Sequence, residues 1–229
     1  MQRRSAFSVG EYYHIYNRGT DKREIFLDKP DYLRFIVLLY ISNNVDAVHV
    51  SNLKYQGRTL MGILNIDKKD SLVDIGAYCL MPNHFHILIK EKIDNGISQF
   101  IRKLSTGYSM YFNKRYERTG NLFQGKFKSM HVDNDQYLKY LFAYIHLNPI
   151  KIIEPGWKEL GIREKDKAES FLKDYEFSSY MDYDGNGTER VEAKIVKKES
   201  FPEYFLTAKD FNDMIKDWLY YKDTIKVGP

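Results

Sequence analysis

The 229-residue sequence contains a single cysteine, Cys79, so no disulfide can form within the chain, and such sparse cysteine usage fits a reducing compartment. No apolar run approaches the roughly 18 residues a membrane-spanning helix needs. The opening Met1-Gln2-Arg3-Arg4-Ser5 is not followed by the apolar core of a secretory leader. Neither an internal repeat nor a low-complexity tract is present. These absences predict a cytoplasmic protein with no membrane partner. What the chain does have is a hydrophobic fraction of 43%, enough to build a core and to exclude a disordered chain. Its length suits one sizeable domain, or one domain with a small appendage.

The net charge of +4 is modest, but its distribution is uneven. Between residues 102 and 128 lie Arg102, Lys103, Lys114, Arg115, Arg118, Lys126 and Lys128 against one acid, Glu117. Tyr108, Tyr111, Phe112, Tyr116, Phe123 and Phe127 are interleaved with them. Cations neutralise phosphates and exposed rings stack on unpaired bases, so nucleic acid is the most economical partner for this excess. The structural alternative is an amphipathic helix whose rings face a core, and most of these rings fit that description.

The chain's pattern centres on Tyr78-Cys79-Leu80-Met81-Pro82-Asn83-His84-Phe85-His86-Ile87-Leu88-Ile89-Lys90. Met81-Pro82-Asn83 has the chemistry of a turn, and apolar or alternating residues flank it on both sides. Strand side chains alternate faces, so Phe85, Ile87 and Ile89 point together into a core while His84 and His86 share the opposite face. One histidine there would simply fill a polar sheet face. A same-face pair directly after a turn is arranged to share a divalent metal ion.

Before this stretch, residues 11–17 read as an aromatic-rich strand containing His14, which is read as a packed or supporting residue rather than a ligand. Asp28-Lys29-Pro30-Asp31 predicts a helix start, continued by Leu33, Ile36, Val37, Tyr40 and Ile41. Signals from residue 42 to 71 are weak; a short strand is expected near residues 60–66. After it, Asp94-Asn95-Gly96 breaks the chain. Ile97, Phe100, Ile101, Leu104, Tyr108 and Tyr111 or Phe112 then recur at helical spacing. A glycine-punctuated basic loop, residues 119–129, leads to a possible strand over 127–132. Asp133 followed three residues later by Gln136 suggests a cap for a helix from Tyr137 to about Asn148, where Pro149 prevents continuation. On that helix Tyr144 and Asn148 lie one turn apart on one face, with Tyr137 and Leu141 on the same stripe. Taken alone, such a stripe fits packing against a sheet. Beside a metal-binding pair it could present a phenol and an amide oxygen. Towards the end, residues 163–167 are charged, residues 182–187 read as a loop, and residues 208–221 read as an amphipathic helix.

Three segments together resemble the single-tyrosine HUH transposases, and most of all their REP-associated tyrosine transposase branch: YCLMPNHFH (78–86), GNLFQGKFKS (120–129) and YIHLNPI (144–150). Tyr13-His14-Ile15-Tyr16-Asn17-Arg18-Gly19 is similar to that family's first strand. The likeness spans roughly residues 8–155 and extends weakly to Ser178-Ser179-Tyr180. Two departures stand out: residues 43–70 are longer than the family's usual link, and the tail after about Ile162 departs from the family's pattern.

The resemblance implies an α+β fold, an antiparallel sheet with helices packed on it (the HUH endonuclease, ferredoxin/RRM-like arrangement), over residues 1–160. Residues 161–229 would form a helical C-terminal extension packed on that domain. It implies a divalent ion, Mg2+ or Mn2+, held by His84 and His86 with Asn148 as a polar third ligand, and Tyr144 as the catalytic nucleophile. The expected activity is cleavage and strand transfer of single-stranded DNA near a hairpin through a 5′-phosphotyrosine, with no nucleotide cofactor. Arg18, Lys126 and Lys128 are candidate DNA contacts, on charge and position within the matching segments. A homodimer is possible, since insertion-sequence relatives exchange tyrosine helices between subunits. Two other readings stand beside this one: a domesticated DNA-binding protein that no longer cleaves, and a metal-dependent phosphoester hydrolase.

Overall fold

A computed structural model describes residues 7–46, 59–68, 70–185 and 190–220. Four strands, β1 (Tyr12–Arg18), β2 (Val73–Met81), β3 (His84–Glu91) and β4 (Lys128–Val132), form one antiparallel sheet in the order β2-β3-β1-β4. The expected α+β fold, an antiparallel sheet with packed helices, is therefore present. β2 and β3 are a hairpin closed by Pro82 and Asn83, with Met81 opposite His84. The chain leaving β1 pins this turn: the Ile25 and Phe26 N–H groups donate to the Pro82 carbonyl, and the Gly19 N–H donates to that of Asn83.

Two helices cover one face of the sheet. In α1 (Lys29–Ile41), Asp28 caps the start by accepting from the Asp31 N–H, and Pro30 occupies the first turn. α2 (Gly96–Arg115) has no side-chain cap from its own N-cap residue. Its first N–H groups, those of Gly96 and Ile97, donate instead to the buried carboxylate of Glu91 at the end of β3. Asp31 is fully buried and ties α1 to α2, accepting from Tyr111, Tyr116 and Arg115. Beneath them Phe85 packs on Phe35, which meets Tyr108 edge-on at 5.0 Å.

The opposite face is covered by α3 (Asp135–Leu147) and by the tail. Asn134, rather than Asp133, caps α3 by accepting from the Tyr137 N–H, and a 3-10 turn over Asn148–Ile152 continues it through Pro149. Among the described residues four further helices follow: α4 (Trp157–Leu160), α5 (Lys165–Asp174), α6 (Tyr180–Tyr183) and α7 (Ala208–Tyr220). The charged run at 163–167 opens α5, which buries Ala168 and Leu172. Within the expected loop at 182–187, Asp182 and Tyr183 belong to α6, and residues 186–187 lie outside the described residues. α7 buries Phe211, Ile215 and Leu219, one helical stripe, and lays Trp218 against Tyr140 of α3; residue 221 is outside the described residues. Phe205 stacks on Phe142 of α3 at 3.8 Å. Phe201 lies over the sheet at Gly76, where a Cβ would come within 2.5 Å of its ring. The tail thus completes the core on the α3 side.

The expected strand near 60–66 is instead a 3-10 turn, Met61–Asn65. Ile63 and Leu64 are both fully buried. Consecutive residues of a strand point to opposite sides, whereas a tight helical turn can bury both against one neighbour, here α1. Among the described residues no helix is long and apolar enough to cross a membrane.

Candidate active site

Register places the polar side chains in rows across the sheet face under α3. Residues directly opposite in an antiparallel pair share a face. Arg18 opposes His84, which opposes Met81; Lys128 opposes Tyr16, which opposes His86; Met130 opposes His14, which opposes Leu88. The face carrying the histidine pair therefore also carries His14, Tyr16, Arg18 and Lys128. Phe85, Ile87 and Ile89 occupy the other face, as the alternation predicts.

The imidazoles are linked. His14 Nε2 lies 2.8 Å from His86 Nδ1, and the two rings stack at 5.0 Å. His84 Nδ1 lies 2.6 Å from Asn83 Oδ1. An amide oxygen only accepts, so His84 Nδ1 carries the proton and its Nε2 keeps a free lone pair. The pairing with His14 likewise occupies His86 Nδ1 and leaves its Nε2 uncommitted. Burial holds all three imidazoles neutral. It pushes His84 down to about 4, assisted by Lys151 and Arg18 and opposed by Asn148. His86 lies well below its ordinary value through burial, then His14, His84, Lys158 and Lys151. Burial and Lys158 bring His14 to about 3.

α3 delivers Tyr144 to this cluster. Its ring meets His86 edge-on at 5.5 Å and His14 at 6.5 Å, with Tyr140 stacked at 5.9 Å and Trp157 at 6.4 Å. Burial pushes its phenol up to about 12, against an opposing interaction with Asn148. Asn148, one turn on, is 2% exposed, and its Oδ1 is buried without a hydrogen-bond partner. The amide biases the protonation of both His84 and Tyr144, so it lies between them, yet its oxygen is unsatisfied at hydrogen-bond geometry. An orphaned buried oxygen costs about 1–3 kcal/mol. Beside two neutral imidazoles it makes a donor set suited to a divalent cation, and these residues fit the expected ion. Among the described residues, no three His, Cys, Asp or Glu side chains converge as a metal site, so Asn148 would have to complete this one.

The structure thus brings together His84, His86, Tyr144 and Asn148. Arg18 stands on the same face, exposed, with its guanidinium hydrogen-bonded to Gln124. Lys128 is exposed at the end of the His86 row. Lys126 is set apart: it lines a groove between the 120–126 loop and Ser105, Ser109 and Asn113 of α2. His146 is fully buried and takes no part here; its Nδ1 pairs with the Phe142 carbonyl and its Nε2 with Ser179 Oγ. Sequence reasoning missed Lys158, whose ammonium lies 4.3 Å over the Tyr144 ring, and Lys151 near it. Neither carries a sequence signal. By contrast, His14 and Tyr16 alternate in β1 with the same period as His84 and His86, which a pairing of the two strands would have revealed.

Residues 50–148, a span that includes His84, His86, Tyr144 and Asn148, match the family model described as "Transposase IS200 like". Over these residues the chain is similar to that family. No curated protein matches the chain. The solved structure of a REP-associated tyrosine transposase bound to a REP hairpin is similar over 84% of this chain and 90% of that one, with 15% identity and a TM-score of 0.49. Arg18, Lys151 and Lys158 lie outside the matched transposase segment.

Proposed function

We propose that this transposase-like chain nicks and rejoins single-stranded DNA next to a hairpin, with Tyr144 as nucleophile. The observation that carries the reading is the placement of the Tyr144 ring against His86 and His14, with the orphaned Asn148 oxygen one helical turn away. A structural tyrosine needs no unsatisfied amide beside it.

In this reading the Tyr144 oxygen attacks phosphorus and the bond to the 3′ oxygen breaks. The phenol loses a proton and the departing 3′ oxygen gains one, leaving DNA joined to the protein as a 5′-phosphotyrosine. Attack by a returning 3′-hydroxyl reverses the exchange, so the bond energy is conserved and no nucleotide cofactor is needed. His84, His86 and Asn148 would hold a Mg2+ or Mn2+ ion, which when bound polarises the phosphodiester and offsets developing charge. His14 orients His86, and Asn83 orients His84, by hydrogen bonds at Nδ1. Tyr140 and Trp157 hold the phenol ring over the imidazoles. Because burial raises the phenol to about 12, it is protonated at neutral pH and gives up its proton only as it attacks. Arg18 and Lys128 would track the DNA backbone from the same face; Lys126, in its separate groove, would contact a more distant part of the strand. All of these side chains are drawn from one chain.

Labelled hairpin DNA with a single-stranded arm, incubated with and without Mn2+ and run on a denaturing gel, tests this. The expected result is a metal-dependent protein–DNA adduct that is lost completely in Tyr144→Phe while the melting temperature is unchanged. Metal-dependent cleavage that survives Tyr144→Phe would point to a hydrolase using water and end the tyrosine assignment. Binding without cleavage would favour a DNA-binding protein that keeps the fold.

A further inference from the structure

α4 and the 3-10 turn before it place two lysines at the transposase-like centre. Lys158 is half-buried, and its ammonium sits 4.3 Å over the face of the Tyr144 ring. Lys151 is exposed on the turn that follows Asn148. Among the described residues neither has a carboxylate within ion-pair distance. Glu159 is the neighbouring acid, and burial together with Lys151 outweighs it in depressing the Lys158 ammonium. Arg18 approaches the same cluster from β1 and acts with Lys151 on His84. Three cations thus surround three neutral imidazoles and a neutral phenol.

A cation over an aromatic ring accounts for part of this, since such a contact contributes about 0.5–1 kcal/mol at an exposed site. It does not account for a second ammonium nearby, because like charges without a counterion disfavour one another and half-burial adds to the cost. The arrangement is that of a basin awaiting an anion. The anion must reach the Tyr144 hydroxyl, and it must be accommodated where the ring face, the imidazoles and the ammonium groups meet.

We propose that Lys158 and Lys151 form the anion site of this centre, holding the non-bridging oxygens of the phosphodiester that Tyr144 attacks. The inference rests on the reading of Tyr144 as nucleophile, and adds that the substrate's charge is met by two lysines as well as by any metal. Lys158 then does two things at once. It fixes the plane of the nucleophile's ring, and it anchors the phosphate against it, so the ring and the phosphorus are aligned by one side chain. Lys151, nearer the solvent, guides the strand towards the site.

The test uses the full chain carrying Tyr144→Phe, so that no adduct consumes the DNA, and a fluorescein-labelled hairpin with a single-stranded arm in metal-free buffer. Affinity is measured as a function of salt. Each lost phosphate contact lowers the slope of log affinity against log salt by about 0.7 for a single strand. Lys158→Gln and Lys151→Gln are each expected to lower it by about that amount, Lys158→Arg to restore it, and Lys209→Gln, on exposed α7 surface, to leave it alone. A ring-clamping role alone would change the melting temperature without changing the slope. If the parent binds and neither glutamine variant moves the slope, the anion site is wrong while the nucleophile assignment stands. A parent that binds no DNA at any salt overturns the underlying reading itself. Lys151 is exposed, so its variant keeps the test decisive even if Lys158→Gln fails to fold.

Discussion

Phe85 and His86 are neighbours in β3, and both are almost completely buried, at 0% and 7% exposure, yet the two sides of the sheet they enter have opposite chemistry. Under α1 and α2, Phe85 meets Phe35 and Phe123, and the one buried acid that ties the helices, Asp31, is fully hydrogen-bonded. Under α3, His86 meets His14, Tyr16 and Tyr144, three imidazoles are held neutral, and the Asn148 oxygen has no partner. Burial of the first kind stabilises; burying Phe85 contributes about 1.5–3 kcal/mol by area alone. Burial of the second kind costs free energy, because polar groups leave water without full compensation. Equal burial with opposite energetics separates a face built for stability from a face built for chemistry.

The largest stability effect that sharpens this contrast is on the apolar side. Phe85→Ala is expected to lower stability by about 3–5 kcal/mol, since the lost ring leaves a cavity between α1, α2 and the sheet. For a chain of this size that is a fall in melting temperature of roughly 10 °C, read by calorimetry or circular dichroism. A change below about 1 kcal/mol would mean that this face is not the stabilising one.

The next effect separates the faces by pH. His14 and His84 have folded-state values near 3 and 4, below the 6.5 of an unfolded histidine. The unfolded chain therefore takes up protons first as pH falls. The contribution of each imidazole is complete above pH 6.5 and is lost between 6.5 and its folded value, at about 1.4 kcal/mol per pH unit. Replacing His14 with Gln should flatten the acid limb of a stability-versus-pH curve. Ile87→Val on the opposite face should lower the curve by about 1 kcal/mol at every pH without changing its slope. Parallel curves for the two variants would refute the electrostatic half of the contrast.

Legibility followed the same division. The sheet, the hairpin at Pro82-Asn83 and the helices α1, α2, α3 and α7 could be read from period, caps and turns, because those signals are local. The separation of Phe85, Ile87 and Ile89 from His84 and His86 needed only the period of a strand. The 3-10 turn at Met61–Asn65 was read as a strand because Ile63 and Leu64 look like a short apolar run, and only the tertiary demand to bury both distinguishes the two. At the site, helical spacing put Tyr144 and Asn148 on one face, but the roles proposed for them came from the family resemblance. The hydrogen bond between His14 and His86 required knowing that β1 pairs with β3, and the approach of Lys158 required knowing where α4 folds back; sequence proximity encodes neither. Lys126 shows the converse, since charge in a matching motif did not place it beside the imidazoles.

The smallest expected effect bears hardest on the comparison, because it asks whether the polar face is worse for stability than an apolar one would be. Asn148→Leu keeps the branching and the number of side-chain heavy atoms, adds some bulk, and removes a buried oxygen that has no partner. On the apolar face any change at a residue 2% exposed is costly. Here the relief of the unsatisfied oxygen should offset the lost contacts to His84 and Tyr144, leaving stability unchanged within about 1 kcal/mol or slightly raised. Mn2+ affinity, followed by calorimetry on the DNA-free protein, should fall at least about tenfold if that oxygen is a ligand. A variant that melts several degrees lower with Mn2+ binding intact would show that Asn148 is a structural helix end. The cost now borne by its oxygen would then have no functional reason. A variant that melts normally and binds Mn2+ poorly would show instead that this face forgoes stability to keep a donor free for a cation.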